Sequence, residues 1–135
     1  MVGYSGTPLW KKLGYRDRVV AWVKGGPADY LRLLQLPVEI SVRWLEQPKQ
    51  GLSFVHLFAT TSASLQKDLR SLREMIDPAG TVWVSWPKKS SRIPSNITED
   101  VVRRIALSLG FVDIKVCAVD DVWSGLKLVI RRELR

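Results

Sequence analysis

The chain has a single cysteine, Cys117, and a single histidine, His56. One cysteine excludes an internal disulfide. One of each excludes a four-ligand zinc site, so no metal centre is expected. No apolar run approaches the roughly 18 residues needed to cross a bilayer, which argues against a membrane partner. The opening Met1-Val2-Gly3-Tyr4-Ser5-Gly6 lacks the apolar stretch of a signal peptide. These absences together predict a soluble, cytoplasmic protein. Internal repeats and low-complexity tracts are missing as well. With 135 residues, 46% of them apolar, the expectation is one domain over residues 1–135 with its own core.

Acidic residues are also scarce, with 13 Asp+Glu against 21 Lys+Arg and a formal net charge of +8. Such an excess suits an anionic small molecule, an acidic protein or nucleic acid. The cations are scattered from Lys11, Lys12 and Arg16 to Arg131, Arg132 and Arg135. Dispersal of that kind favours a solvated surface, and no nucleic-acid recognition motif accompanies it. Aromatic content is concentrated in six tryptophans. Trp22 and Trp83 sit inside strand-like runs and read as core. Trp86 and Trp123 sit at strand ends, where a site is open to them.

Periodicity supplies the elements. Residues 7–14 read as a short helix, with Thr7 as cap, Pro8 in the first turn and Gly14 as stop. Residues 18–23 form a strand that ends at Lys24-Gly25-Gly26-Pro27, and a helix follows up to Pro37. Residues 38–45 alternate apolar and polar, as a half-exposed strand does. Residues 52–59 are almost continuously apolar, the mark of a strand buried on both faces. Leu65, Leu69, Leu72, Met75 and Ile76 keep helical spacing. Asp77-Pro78-Ala79-Gly80 is a turn before the strand 81–86. Asn96, with Glu99 three residues on, starts a helix that Gly110 ends. Residues 112–119 and 126–130 are strands joined by a link too short for a parallel crossover, so they form an antiparallel hairpin.

Strands alternating with helices predict a three-layer α/β fold: a mostly parallel sheet, helices on both faces, and a C-terminal antiparallel hairpin. The link between 45 and 53 is shorter than an ordinary crossover. Either an extended return serves a short parallel strand, which is the preferred reading, or 38–45 pairs antiparallel with 54–59. Met75-Ile76-Asp77-Pro78-Ala79-Gly80-Thr81-Val82-Trp83-Val84 and Leu107-Ser108-Leu109-Gly110-Phe111-Val112 resemble segments of class I S-adenosylmethionine-dependent methyltransferases. The resemblance implies a Rossmann/methyltransferase-like sheet, truncated by one strand and its helix. Gly3-Tyr4-Ser5-Gly6-Thr7-Pro8-Leu9, Trp86-Pro87-Lys88, and Val116-Cys117-Ala118-Val119-Asp120 through Trp123-Ser124-Gly125-Leu126-Lys127-Leu128-Val129 resemble a bacterial family of unknown function.

Open α/β sheets bind ligands beyond the carboxyl ends of their strands. Gly25, Gly26, Ser85, Trp86, Lys88 and Lys89 are therefore the expected ligand-binding residues, forming an anion site with Thr60-Thr61-Ser62. No catalytic residue is expected. His56 lies within the buried-looking strand and reads as a satisfied core residue. Cys117 reads as an inert thiol, and Asp120 and Asp121 read as turn formers. No acid precedes Gly25-Gly26, and Lys24 opens the turn, so no cofactor is expected, S-adenosylmethionine included. Glu46 alone stands where the methyltransferase resemblance implies a ribose-binding acid. The expected function is a non-catalytic or regulatory binding module. The alternatives are a methyltransferase-like group-transfer enzyme and a nucleic-acid-binding protein. Oligomeric state leaves no signature in the sequence.

Overall fold

The computed structural model describes residues 6–135, so most of the Gly3-Tyr4-Ser5-Gly6 string lies outside the described residues. In chain order the elements are α1 (Leu9–Leu13), β1 (Val20–Lys24), α2 (Tyr30–Leu34), β2 (Arg43–Leu45) and β3 (Leu52–Phe58). They continue with α3 (Ser62–Met75), β4 (Ile76–Pro87), α4 (Glu99–Ser108), β5 (Phe111–Ala118) and β6 (Trp123–Ile130). The six strands form one sheet in the order β2-β1-β3-β4-β6-β5. β2, β1, β3 and β4 run parallel, and β6 pairs antiparallel with both β4 and β5. This is the predicted three-layer sheet with its closing hairpin.

Strand alternation sorts the core into two layers. From β3, Val55 and Leu57 face α3 and α4, joining Leu65, Leu69 and Leu72 of α3 and Val102, Ile105 and Ala106 of α4. Phe54 and Phe58 face the other side, with Leu13 from α1 and Tyr30 and Leu34 from α2. Each fully buried large apolar side chain contributes ~1.5–3 kcal/mol of transfer free energy, so both helical layers are held by their stripes. Trp83, fully buried in the second layer, donates its indole N–H to the Leu13 carbonyl at 2.7 Å. That bond ties α1 to the middle of the sheet.

Three local expectations change. Residues 38–42 are not strand, and Val38 is fully exposed. Their hydrogen bonds go to the loop before β1 instead: Ser41 N–H to Asp17 Oδ1, and Arg18 N–H to the Ser41 carbonyl. What remains, β2, is short and parallel to β1, with Val20 beside Arg43 and Trp22 beside Leu45. The short link to β3 then has a geometric explanation. β2 stops level with Trp22 and β3 enters about three residues lower, a descent of roughly 10 Å that extended chain covers without a helix.

The 77–80 turn is a loop-out within β4. Ile76 pairs with Leu52 and Thr81 with Phe54, and Asp77 Oδ1 accepts the Ala79 N–H at 2.8 Å. The cap of α4 is Thr98, whose hydroxyl accepts the Val101 N–H. Asn96, expected there, caps a different helix: its Oδ1 accepts the Ser62 N–H at the start of α3. Local spacing suited both residues, and only the packing of the 88–98 loop over β3 assigned them.

Candidate functional site

β1, β3 and β4 end side by side. Lys24 is level with Leu57, Phe58 with Ser85, and Pro87 with Trp123 at the start of β6. The turn after β1, the start of α3, the Pro87-Lys88 loop and the 119–122 link therefore share one edge of the sheet. The strand order reverses between β1 and β3, since β2 lies outside β1 while β4 continues beyond β3. Such a reversal opens a crevice at the strand carboxyl ends.

The predicted residues meet that edge unequally. Gly25 and Gly26 are exposed at the turn, and Gly25 has φ +72°. A Cβ on Gly25 would stand 2.8 Å from the Phe58 carbonyl oxygen. Strain of ~1–2 kcal/mol from the left-handed backbone adds to that clash. Gly25→Ala is therefore expected to lower stability by at least ~2 kcal/mol, read as a drop in urea midpoint at constant m; an unchanged midpoint would contradict the close approach.

Ser85 does not reach the edge, being fully buried with its hydroxyl on His56. Trp86 is 7% exposed and packs with the α3–α4 core. Lys88 donates from Nζ to the Asp120 carbonyl and from its backbone N–H to the Val122 carbonyl, both at 2.7 Å, so it clamps the hairpin link. Lys89 is exposed at the head of a short 3-10 turn. Lys24 pairs with Asp68 of α3 at 2.8 Å. The α3 amides are engaged too, Ser62 by Asn96 and Ser64 by Thr61. Of the groups expected to converge on an anion, the Lys88 ammonium and the Ser62 amide are bonded to the protein's own oxygens and the Ser85 hydroxyl to His56. Trp86, Lys88 and Lys89 do line an open cavity of about 490 Å³ with Thr98, Asp100 and Ser124. Glu99 on its wall is committed to Arg103 at 2.6 Å, and Arg103 also holds Asp113, which fastens α4 to β5.

Beneath the edge runs a buried polar chain. The Tyr15 and Tyr30 hydroxyls are 2.7 Å apart, Tyr30 Oη is 2.8 Å from His56 Nδ1, and His56 Nε2 is 2.8 Å from Ser85 Oγ. Four side chains from four segments satisfy one another, as buried polar groups must. Burial holds the His56 imidazole down to about 3. Burial also raises both tyrosine hydroxyls, so all four members are neutral at physiological pH. His56 is the satisfied core histidine that its strand implied. Cys117 is half-buried, and burial raises its thiol.

One residue set aside in the sequence gains weight. Leu45 is level with Trp22, so Glu46 stands at the end of β2 one strand over from the Lys24-Gly25-Gly26 turn. It is exposed and makes no hydrogen bond or ion pair among the described residues. It also follows the glycine pair by twenty residues, near the spacing that sets a ribose-binding acid after a glycine turn. That spacing was the signal available in the sequence.

No protein-family model matches the chain, and no curated protein does. Solved structures match over nearly its whole length. A SAM-dependent methyltransferase from Aquifex aeolicus is 17% identical, with TM-score 0.67 over 89% of this chain and 86% of that one. A type 11 methyltransferase from Sulfolobus solfataricus, described as putative, is 16% identical, with TM-score 0.62 over 90% and 89%. LepI in complex with SAM is 11% identical, with TM-score 0.58 over 93% of this chain, which spans only 47% of LepI. Identities this low carry the fold. They also overturn two expectations from the sequence: the non-catalytic module and the absence of a cofactor. The solved structures that share this fold include SAM-dependent methyltransferases and proteins solved with SAM bound. What the likeness establishes is a methyltransferase-like sheet.

Proposed function

We propose that this chain is a group-transfer domain that binds S-adenosylmethionine at the ends of β1 and β2. One observation carries the reading: Glu46, exposed and without an ion pair among the described residues, follows the end of β2, one strand over from the glycine turn and at the sheet edge where the strand order reverses. A carboxylate there accepts hydrogen bonds from two vicinal ribose hydroxyls. Gly25 and Gly26, without side chains, leave the backbone of the turn open to a ligand from the solvent side. Lys24, paired with Asp68, braces the turn against α3. The cofactor supplies an electrophilic methyl group. The cavity between Lys88, Thr98 and Ser124 lies along the same edge and is assigned to the acceptor. His56 serves no base function there, since it is buried and bonded at both ring nitrogens. We place the chain in the bacterial family of its recurring strings, as a single cytoplasmic domain over 1–135. No helix among the described residues is long and apolar enough to cross a membrane.

Calorimetric titration with S-adenosylmethionine and S-adenosylhomocysteine tests the reading. Binding is expected for both. Glu46→Gln, an exposed change that leaves the fold intact, is expected to weaken it ~10-fold or more, the loss typical of a charge-assisted hydrogen bond. Absence of heat and of thermal stabilisation at millimolar ligand would overturn the proposal.

A further inference from the structure

Charge that is dispersed in the sequence is gathered in the fold. Lys11 and Lys12 end α1, Arg16 follows, and α1 lies on the sheet face bearing Trp83. Lys127 of β6 is level with both Trp83 and Lys115 of β5. Lys115 donates from Nζ to the Lys12 carbonyl at 3.0 Å. A Cβ on Gly14, at the end of α1, would stand 3.9 Å from Lys127 Nζ. Five cations from two distant stretches of chain thus surround the seam between α1 and the hairpin.

Along that seam runs an open groove of about 420 Å³, with Lys11, Lys12 and Lys115 on its rim and Val116, Cys117 and Ala118 along β5. Among the described residues, no carboxylate forms an ion pair with Lys11, Arg16, Lys115 or Lys127. The cations feel one another. The Lys127 ammonium is drawn down by burial first and then by Lys115 and Arg16. Gathering like charges opposes folding, whereas other cations of the molecule do meet acids, as Arg103 meets Glu99, Asp100 and Asp113 and Lys24 meets Asp68.

From this arrangement we infer that the α1–β5 groove is a binding surface for the phosphodiester backbone of a nucleic acid. A single small anion gains little here. Exposed ion pairs contribute only ~0–1 kcal/mol each, and none of the described residues lining the groove is buried. A polyanion gains at every cation at once, because each neutralised phosphate releases condensed counterions without desolvating the lysines. Phosphate contacts also need no base-reading motif, consistent with a sequence that has none. The inference is independent of cofactor binding at the ends of β1 and β2, and its test reads binding alone.

The experiment is fluorescence anisotropy of labelled single-stranded and duplex oligonucleotides with the whole chain, between roughly 50 and 200 mM salt. Binding is expected to weaken linearly on logarithmic axes. Lys11→Gln combined with Arg16→Gln, both at exposed positions, should flatten the slope by ~1.8 for duplex or ~1.4 for single strands, two contacts' worth. Arg104→Gln, exposed on α4 across the sheet, should leave the slope unchanged. No binding at the lowest salt, or equal slopes for the double variant and the wild type, would overturn the inference. So would inorganic triphosphate competing as well as oligonucleotide at equal phosphate, or tighter retention on phosphatidylserine vesicles.

Discussion

Acidification from pH 6.5 to pH 3 is expected to strip roughly 4 kcal/mol from the stability of this protein through His56 alone. The imidazole is fully buried, and burial holds it down to about 3 in the folded chain, against an ordinary value of 6.5. In that window the unfolded chain binds a proton that the native state refuses. The stability contributed by neutral His56 is complete well above pH 6.5, declines as pH falls, and is nearly gone at pH 3. A domain with a total of ~5–15 kcal/mol is then close to unfolding. Carboxylates titrate in the same range, so the informative quantity is a difference. His56→Gln keeps an amide between Tyr30 and Ser85 and removes the titration. Urea midpoints of the two proteins should converge as pH drops from 7 to 3. A constant gap across that range would show that His56 is not the titrating group. The ring carbon resonances of His56 should also stay those of a neutral imidazole at pH 5.

Loss of Trp83 is the second large effect. Its side chain is the largest among those fully buried, on the central strand β4, and its N–H reaches Leu13 seventy residues earlier. Trp83→Ala removes that volume at a cost of ~3–5 kcal/mol. It also strands the Leu13 carbonyl, for which a further ~1–3 kcal/mol is typical when no water enters. Trp83→Phe separates the two: most of the volume stays and the donor goes. The phenylalanine variant should still lose more than 1 kcal/mol, with α1 amides exchanging faster than those of α3 in hydrogen-exchange experiments. Equal protection of α1 in Trp83→Phe and wild type would show that the bond does not hold the helix.

These two residues also mark how far the sequence reaches. His56 was legible as a core residue because it interrupts an almost continuous apolar run, and nothing but burial accommodates such a strand. Its partners were not. Tyr15 lies in a loop, Tyr30 at the head of a five-residue helix and Ser85 near a strand end. No local pattern relates those positions. Ser85 was assigned to the mouth by its nearness to Pro87 in sequence, yet alternation along β4 turns its side chain inward. Lys88 was assigned to a ligand because it is a cation at a strand end, yet it holds the Asp120 carbonyl. The 38–45 alternation suggested more strand than exists, because a pleated pattern forms a ladder only where a neighbour offers hydrogen bonds, and the Asp17-Arg18 loop offered them first.

The sequence by itself determined the layers: which residues of α3 and α4 face the sheet, where the parallel strands end, and that the chain closes on a hairpin. Those follow from periods of two and 3.6 residues and from turn chemistry, which act between near neighbours. Tertiary structure alone decided which cation meets which oxygen, and that Lys11, Arg16, Lys115 and Lys127 share one seam. Those relations join residues up to a hundred or more positions apart, and they exist only once strand order and register are set.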